Sequence, residues 1–313
     1  MEGYEMGRVI IRNTPLGWAA ENGHEEVVKL LLECNDISID KPNQHGQTPL
    51  SQATAKGHEG VVRALLGRND INPDKPDIRG QTPLWWAACG GRVGVVKMLL
   101  GRDDVDPDKP CNDGRIPLSL AAYYGNEGIV KLLLDRDDVK LNEPDEEGKT
   151  PLWWAAWNGR EEVVKLLLGR NNVNADKPDQ DGRTPLSWAS AQGHEGVVRA
   201  LLGRNDVNPD KQDVGGRTPL SLACYGHEGV VKMLLGRDDV DPDKQDESSR
   251  TPLWWAAYCG CGEVVKLLLG RDDVNPDRPD DYGQTPLSQA VLYGYTGVVT
   301  LLQSRKSAAD GAA

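Results

Sequence analysis

Residues 182–213 read GRTPLSWASAQGHEGVVRALLGRNDVNPDKQD, and nearly all of the remaining sequence consists of copies of this stretch. Thr184 and Pro185 form a helix start, because the hydroxyl can accept a bond from a free backbone N–H and proline has no N–H to leave unpaired. The apolar face of this first helix ends at Gly193, and a second helix with Val and Leu pairs ends at Gly203. Such short helices are not stable alone, since isolated helices need about 12–15 residues. The unit is therefore expected to stack on copies of itself.

A Thr-Pro-Leu motif marks each copy and fixes the repeat length. Successive motifs lie 34 residues apart, except for 33 residues between Thr218 and Thr251. In one copy isoleucine stands in place of the threonine, at Ile116, and cannot supply the capping hydroxyl. Nine copies predict one repeat-built domain, residues 1–313, rather than two globular domains. The copies begin near residues 10, 43, 77, 111, 145, 179, 213, 246 and 280.

The consensus of the copies, G-x-TPL-x-x-AA-x-x-GH-x-x-VV-x-x-LL, resembles the ankyrin repeat over residues 8–305. The resemblance implies an all-α fold, an α-solenoid of about nine stacked helix–turn–helix units joined by β-hairpin loops, with a period of 34 residues. The long RDDVDPD connection resembles ankyrin arrays of filamentous fungi in particular. In that group such arrays are often the carboxy-terminal recognition part of nucleotide-binding, receptor-like proteins of the STAND/NACHT type. The resemblance therefore implies that this chain recognises a protein.

The residue after Thr-Pro-Leu departs from the family pattern, which usually has histidine there. Here the position holds glycine, serine or tryptophan, at residues 17, 51, 85, 119, 153, 187, 221, 254 and 288. The hydrogen bond that this histidine makes between neighbouring repeats is then missing, and we expect tryptophan to lock the stack instead. The paired tryptophans are interpreted as core residues, since each ring buries about 150–250 Å². A ligand-stacking platform is the alternative interpretation, and the sequence favours it less.

Composition and charge exclude several classes of protein. The chain has 36 Lys and Arg against 48 Asp and Glu, and this net charge of −12 disfavours a nucleic-acid partner because phosphates attract clustered basic residues. No run is apolar enough to span a membrane, and the first residues, MEGYEMGRVI, lack the apolar core of a signal peptide. Six scattered cysteines form no disulfide framework, so we expect a reduced, cytoplasmic setting.

No motif predicts a catalyst, a cofactor or a metal site. No nucleophile–base pair or phosphate-binding glycine loop stands out from the repeats. The Asp-rich connections lack the ligand spacing of a calcium loop and are interpreted as solvated connectors. Cys259 and Cys261 have no second Cys or His pair for zinc. We therefore expect a protein that is not an enzyme. The recurring histidines, interpreted as structural helix-start residues, are His24, His58, His194 and His227.

The copies differ mainly at two places, the end of the first helix and the hairpin tip. Tyr123-Tyr124 in one copy corresponds to Ala191-Gln192 in another, and the tips vary in the same way. By the ankyrin resemblance, both sets lie side by side on a concave groove that holds protein partners. A rigid scaffold that presents variable side chains on one surface is what a recognition module requires. Neutral drift is the alternative, but drift would also alter the second helix, which barely changes.

The predicted partner-binding residues combine aromatic rings with charges on this groove. One aromatic patch is expected at its centre, a second towards the carboxy end, and a basic column with acidic tips beside it. Tyr and Trp are enriched among residues that dominate binding energy, and this mixture suits a protein or peptide better than a small apolar ligand. The candidates are Tyr123, Tyr124 and Trp157 in the first patch, Tyr225, Tyr258, Tyr282 and Tyr293 in the second, and the charged residues Arg79, Arg115, Glu146, Glu147 and Lys149.

The sequence leaves a choice between two functions and carries expectations about its context. A recognition module of a larger receptor-like protein is favoured, and a stand-alone scaffold or adaptor is the alternative. An enzyme is a still less favoured third. The isolated domain is expected to be a monomer that binds neither nucleic acid nor membranes. The chain is expected to be the carboxy-terminal part of a longer protein.

The irregular copies and the two ends carry further expectations. One residue is missing from the first helix of the seventh copy, and Ser249 replaces a hairpin glycine where a positive φ is expected. Together these changes predict a local misfit between residues 218 and 260. Residues 1–13 are expected to form an N-terminal cap, and residues 304–313 a disordered tail.

Overall fold

The computed structural model describes residues 13–34 and 36–310 of the chain, with side chains through residue 305. These residues form eighteen helices and no strands, with two helices for each copy of the repeat. The chain divides into two compact units, one ending at Glu146 and the other beginning at Glu147. Each unit by itself is an all-helical solenoid. The expectation of a single domain, residues 1–313, stays a prediction, and the expected cap over residues 1–13 falls almost entirely outside the described residues.

The first unit holds four helix pairs in two layers. The first helices of successive copies pack against one another, and the second helices form the layer behind them. Val and Leu side chains of the second helices, such as Val96 and Leu99, are fully buried between the layers. The helices are α1 (Pro15–Glu21), α2 (Glu25–Leu32), α3 (Pro49–Lys56), α4 (Glu59–Leu66), α5 (Pro83–Cys89), α6 (Val93–Leu100), α7 (Pro117–Tyr124) and α8 (Glu127–Leu134).

The second unit holds five helix pairs in the same arrangement. The first helix of the seventh copy, α13, spans five residues because this copy lacks one residue. The helices are α9 (Pro151–Trp157), α10 (Glu161–Leu168), α11 (Pro185–Gln192), α12 (Glu195–Leu202), α13 (Pro219–Ala223), α14 (Glu228–Leu235), α15 (Pro252–Tyr258), α16 (Gly262–Leu269), α17 (Pro286–Leu292) and α18 (Thr296–Asp310).

The Thr-Pro start caps the first helices as the sequence predicts. In α5 the Thr82 hydroxyl accepts a hydrogen bond from the Trp85 N–H at 3.1 Å, and the capping threonines of other copies do the same. Ile116 makes no such bond and is instead fully buried. Losing a capping side chain costs about 1 kcal/mol, so the start of α7 depends more than the others on apolar packing.

The Asp-rich connections join the copies instead of acting as solvated connectors. Asp74 Oδ2 accepts a hydrogen bond from the N–H of Asp106 in the next copy at 2.7 Å, and Lys109 Nζ donates to the Asp74 carbonyl at 3.1 Å. Arg102 Nη1 donates to the Leu66 carbonyl at the end of the preceding second helix, 2.8 Å away. Equivalent bonds recur through both units. The GR-x-D and PDK segments are therefore repeated because they build the stack.

The glycine in the recurring Glu-Gly-Val-Val segment has a steric reason. A Cβ placed on Gly196 would lie 1.8 Å from a carboxylate oxygen of Glu161 in the preceding copy. Gly229 meets Glu195 in the same way. The carboxylate thus lies over the N-terminal turn of the next second helix, where negative charge is favourable.

The carboxy-terminal helix is longer than expected. α18 runs to Asp310, so its backbone is helical over residues 304–310 of the segment that the sequence predicts as a disordered tail. Residues 304–310 contain neither glycine nor proline, and the first helix-breaking residue is Gly311. The expectation of a disordered tail over residues 304–313 stays a prediction.

Candidate functional site

In most hairpins the side chain of the first residue also closes the hairpin. In the sixth copy Asp179 Oδ1 accepts hydrogen bonds from the N–H groups of Asp181 and Arg183, at 3.0 and 2.9 Å. The Asp179 N–H donates to the Arg183 carbonyl at 3.0 Å, and Gly182 reverses the chain with a φ of +77°. The same closure recurs in the hairpins that begin at Asn43, Asp77, Asp213, Asp246 and Asp280.

Neighbouring hairpin tips are joined by one backbone hydrogen bond each. In the first unit the Asn112 N–H donates to the Arg79 carbonyl at 2.9 Å, and in the second the Val214 N–H donates to the Asp181 carbonyl at 2.9 Å. Equivalent bonds join the other tips within each unit. Because these bonds use backbone atoms alone, the tip side chains can vary without breaking them. We call the surface formed in each unit by the hairpins and the first-helix ends the groove face.

Ser249 replaces a hairpin glycine without breaking the backbone hydrogen bonds between neighbouring hairpin tips. Its φ is +60°, the one positive φ of a non-glycine residue in the described segments, as the sequence predicts for this position. Its hydroxyl donates to Asp281 Oδ1 at 2.6 Å, and the Asp281 N–H donates to the Ser248 carbonyl at 3.2 Å. The local misfit expected between residues 218 and 260 stays a prediction.

Tryptophan supplies the missing bond between repeats at one position. Asp179 Oδ2 accepts hydrogen bonds from Trp188 Nε1 of its own copy at 2.9 Å and from Trp153 Nε1 of the preceding copy at 3.1 Å. Trp153 occupies the position where the family usually has histidine and is 1% exposed. At the equivalent Trp254 the indole nitrogen has no partner among the described residues, and the ring stacks on Tyr258 at 5.3 Å instead.

Most of the tryptophans are core residues, as the sequence predicts. The buried ones are Trp85, Trp153, Trp154, Trp254 and Trp255. Trp18 differs, since it is 55% exposed in the first copy. A ligand-stacking platform formed by the paired rings is therefore not available in the copies where they are buried.

The basic column consists of the residues that precede the Thr-Pro or Ile-Pro helix starts, and it is paired with carboxylates. Its members are Arg115, Lys149, Arg183, Arg217 and Arg250. Arg217 and Arg183 both reach Asp213 Oδ2, at 2.9 and 3.4 Å, and the Asp213 side chain is fully buried. Arg250 reaches Asp246 at 3.0 Å and also lies over the Trp255 ring, 4.3 Å from its centroid. These guanidinium groups therefore hold the hairpins together, and their charge is largely compensated inside the unit.

The expected central aromatic patch is divided between the two units. In the first unit Tyr123 and Tyr124 pack edge to face at 4.8 Å, and Tyr124 is 46% exposed. In the second unit Trp157 is half-buried, with ring contacts to Trp153 and Trp188 at 5.8 and 6.4 Å. Trp157 also accepts a hydrogen bond at its carbonyl from His194. The Trp157 ring is thus packed against neighbouring rings, and its backbone carbonyl joins two copies of the repeat.

In the second aromatic patch, three of the four expected tyrosines pack against other aromatic rings. Tyr225 packs on Trp255 at 5.6 Å, and Tyr258 packs edge to face on Tyr293 at 5.0 Å. The exposed Tyr225 ring thus rests on the buried Trp255, and the exposed Tyr293 ring rests on Tyr258. Tyr282 lies at a hairpin tip, 82% exposed, and none of the described rings contacts it.

The charged candidates lie on the hairpins. Glu147 and Lys149 form an ion pair, and Lys149 Nζ lies 4.8 Å from the centroid of the Trp153 ring. Glu146 is exposed, and its N–H donates to the Asp113 carbonyl at 3.1 Å. All twelve candidate residues are exposed or half-buried.

A pocket in the first unit brings three candidates together. It has a volume of about 450 Å³ and lies between two hairpins and two first helices. Arg79, Asn112 and Arg115 come from the hairpins, and Trp85 and Tyr124 come from α5 and α7. We call this cavity the tip pocket. It supports the expectation that tips and first-helix ends share one surface.

The roles of the hairpin aspartates and the inter-repeat histidines are not apparent from the sequence alone. His58, His194 and His227 begin second helices without capping them; each ring nitrogen instead bonds a carbonyl of the preceding copy, at 2.9 to 3.1 Å. The hairpin aspartate recurs in most copies, and this recurrence is the signal that could have identified it. Cys111 breaks the pattern, and Trp85 Nε1, the equivalent of Trp153 Nε1, has no partner in the described residues.

The described residues carry no arrangement typical of metal binding. Within them no group of three His, Cys, Asp or Glu side chains is placed to hold a metal ion. Burial raises the pKa of the Cys259 thiol to about 11 and raises the pKa of the fully buried Cys224, which disfavours the reactive thiolate. None of the described helices is both long enough and apolar enough to cross a membrane.

Comparisons with known proteins agree with this architecture. A family model described as "Ankyrin repeats (3 copies)" matches residues 2–77, 61–143, 102–177, 168–246 and 238–311. Among solved structures, the chain is similar to the crystal structure of the human ASB11 ankyrin repeat domain, with 24% sequence identity and a TM-score of 0.61. The match covers 70% of this chain and 97% of that chain, and at this identity it bears on the fold alone. No curated protein sequence matches the chain.

Proposed function

Because the chain belongs to the ankyrin-repeat family, we propose that it is a non-catalytic interaction module whose groove face binds a protein or peptide partner. The proposal rests on a contrast within each repeat between positions whose side chains bond to the array and positions whose side chains face solvent. Frame residues such as Asp179 and Arg204 have their polar atoms bonded within the array. The variable residues on the groove face are exposed or half-buried, and the tip backbone beneath them is fixed.

The aromatic residues of the second unit are the favoured contact region. Tyr225 and Tyr293 are exposed and rest on neighbouring rings, so their side chains are held in place before any partner arrives. Rigid aromatic side chains provide contact area at low cost in conformational entropy, and such residues often dominate binding energy. A partner with apolar side chains and a polar backbone would match this surface.

A finer proposal concerns the context of the module. The sequence resemblance supports a recognition part of a larger, nucleotide-binding receptor-like protein of a filamentous fungus, active in the cytoplasm. A scaffold or adaptor that joins two proteins is the alternative. A nucleotide-binding domain encoded upstream in the same gene would support the receptor, and its absence from the full-length gene product would favour the scaffold. We expect the isolated module to be a monomer and to turn over no substrate.

Affinity capture from source-cell extract tests the proposed function. The bait is the purified chain, compared with a Tyr225→Ala/Tyr293→Ala double variant and with Arg199→Ala as a control. Arg199 is exposed on α12, in the layer of second helices, and its side chain makes no ion pair among the described residues. A partner retained by the control and lost by the double variant supports binding at the groove face. Equal retention by all three baits contradicts it.

A further inference from the structure

Arg79 differs from the other arginines of the hairpins and connections. Arg102 reaches Asp104 at 2.7 Å, and Arg115 reaches Asp113 at 2.8 Å. Arg79 lies exposed at a hairpin tip, and its guanidinium makes no ion pair or hydrogen bond in the part of the chain that the structure describes. The tip pocket therefore has an arginine whose charge is not compensated within the protein.

The tip pocket has a local excess of positive charge. Arg79 and Arg115 both line it, against the single carboxylate of Asp113. The Asp113 side chain is 68% exposed, and an ion pair with so exposed a carboxylate contributes little to stability. It can therefore exchange for a stronger partner. This local excess is notable in a chain whose net charge is −12.

The backbone around the tip pocket is already fixed. The Asn112 N–H donates to the Arg79 carbonyl at 2.9 Å, and Asn112 Nδ2 donates to the Ile78 carbonyl at 3.2 Å. These two bonds fix the two hairpins relative to each other. A ligand that bridges them therefore does not have to order the backbone, which lowers the entropic cost of binding.

The pocket also has an aromatic side. The buried Trp85 and the half-exposed Tyr124 ring both line it. A ligand must therefore combine a negative group with an adjacent apolar group. An acidic side chain of a peptide has this combination, and a carboxylate can accept parallel hydrogen bonds from one guanidinium.

We infer that the tip pocket binds the carboxylate of an Asp or Glu side chain in an acidic segment of a protein partner. Arg79 supplies the main contact, Arg115 exchanges Asp113 for the incoming carboxylate, and the neighbouring apolar group packs on Tyr124. This inference rests on the proposed function and names the partner's chemistry. A polyanion such as nucleic acid is disfavoured, because the remaining surface carries the excess of negative charge.

Titration with hexaglutamate at constant ionic strength tests the inference. The readout is the Nε–Hε NMR resonances of the arginines in the full chain. Hexaglutamate should shift those of Arg79 and Arg115, and Arg79→Gln should weaken binding about fivefold or more. Arg63→Gln is the matched control, because Arg63 is exposed on α4, makes no ion pair in the described residues and carries the same charge. Its effect should stay below about twofold.

Three outcomes would overturn the inference. One is the absence of shifts at Arg79 and Arg115, and another is an equal loss of affinity in Arg79→Gln and Arg63→Gln, which would indicate non-specific charge attraction. The third is that inorganic phosphate shifts both arginines at lower concentration than hexaglutamate, which would assign a phosphate site. If one of these occurs while the Tyr225→Ala/Tyr293→Ala variant still loses its partner, the proposed function stands and the pocket assignment falls.

Discussion

Trp153 Nε1 donates a hydrogen bond to Asp179 Oδ2, 3.1 Å away in the following copy of the repeat. The same carboxylate accepts Trp188 Nε1 and two backbone N–H groups, so all of its acceptor positions are in use. One side chain thus fixes its hairpin, its own first helix and the preceding copy. The bond takes the role that the family usually gives to histidine after Thr-Pro-Leu.

The Trp153–Asp179 bond predicts an unequal response of two buried tryptophans to phenylalanine. Trp153→Phe removes both ring volume and a donor to a buried carboxylate, whereas Trp254→Phe removes ring volume alone, because Trp254 Nε1 has no partner among the described residues. We expect Trp153→Phe to lower the free energy of unfolding by about 1 kcal/mol more than Trp254→Phe. Urea denaturation measures both. Equal losses would show that the bond adds no stability.

The hairpin of the fourth copy lacks the closing carboxylate, because it begins with Cys111. This cysteine stands where most hairpins have aspartate, and the buried Trp85 Nε1 lacks an acceptor in the described segments. Cys111→Asp should close the hairpin through the N–H groups of Asp113 and Arg115 and accept the indole N–H. We expect a gain of about 1 kcal/mol, visible as a higher Tm. Cys111→Ser is the control, since its side chain is too short to reach both groups, and a lower Tm for Cys111→Asp alone would contradict the prediction.

Gly262 predicts a stabilising substitution at the last interface of the second unit. In other copies a glutamate at this position lies over the next glycine, but no atom lies within 4 Å of a Cβ placed on Gly262 or Gly297. Gly262→Glu should raise the free energy of unfolding by about 1–2 kcal/mol, through helix propensity and the N-terminal turn of α18. Gly262→Ala isolates the propensity. The glutamate variant should exceed the alanine variant at low salt, and identical gains would exclude the carboxylate contribution.

Two sets of aspartates predict opposite responses to pH. Burial raises the pKa of Asp74, whereas the hydrogen bond from Arg102 lowers the pKa of Asp104. The unfolded value is about 3.9. The stability that comes from Asp74 is therefore fully present below that pH and is lost as the pH rises through its folded pKa. The stability from Asp104 is present above that pH and is lost as the pH falls through its folded pKa.

Asparagine variants separate these two contributions. As the pH rises from about 4 to about 7, the stability of Asp74→Asn relative to the wild-type chain should increase, because the amide avoids the cost of a buried charge. Asp104→Asn should become less stable over the same range, because it lacks the charge that pairs with Arg102. Urea midpoints at both pH values measure the two slopes. Slopes of the same sign would contradict the assignment.

The repeat pattern made most of the fold predictable, but the bonds between copies were not. Thr-Pro caps, glycine ends and the Val and Leu faces follow local rules, so the helices of both units were expected correctly. The role of Asp179 was missed because its partners lie 9 and 26 residues away, and no local rule connects them. The Asp-rich connections were misread for the same reason, since Asp74 receives its bond from the next copy.

The groove face was predictable in position more than in chemistry. Exposure of Tyr124, Tyr225 and Tyr293 followed from their place at the first-helix ends. The compensation of Arg217 by the buried Asp213 was not foreseen, because burial of a carboxylate depends on tertiary packing. Arg79 could be distinguished from the other arginines only after their partners were known.

The connection bonds have an evolutionary consequence. The carboxylates of Asp40, Asp74 and Asp108 accept the backbone N–H of Asn72, Asp106 and Lys140, three chemically different residues. Such a junction does not depend on the identity of the side chain that follows. Insertion, deletion or reordering of whole repeats therefore leaves these connection bonds intact. New combinations of groove-face residues can then arise by reordering existing units, with the connections between them unchanged.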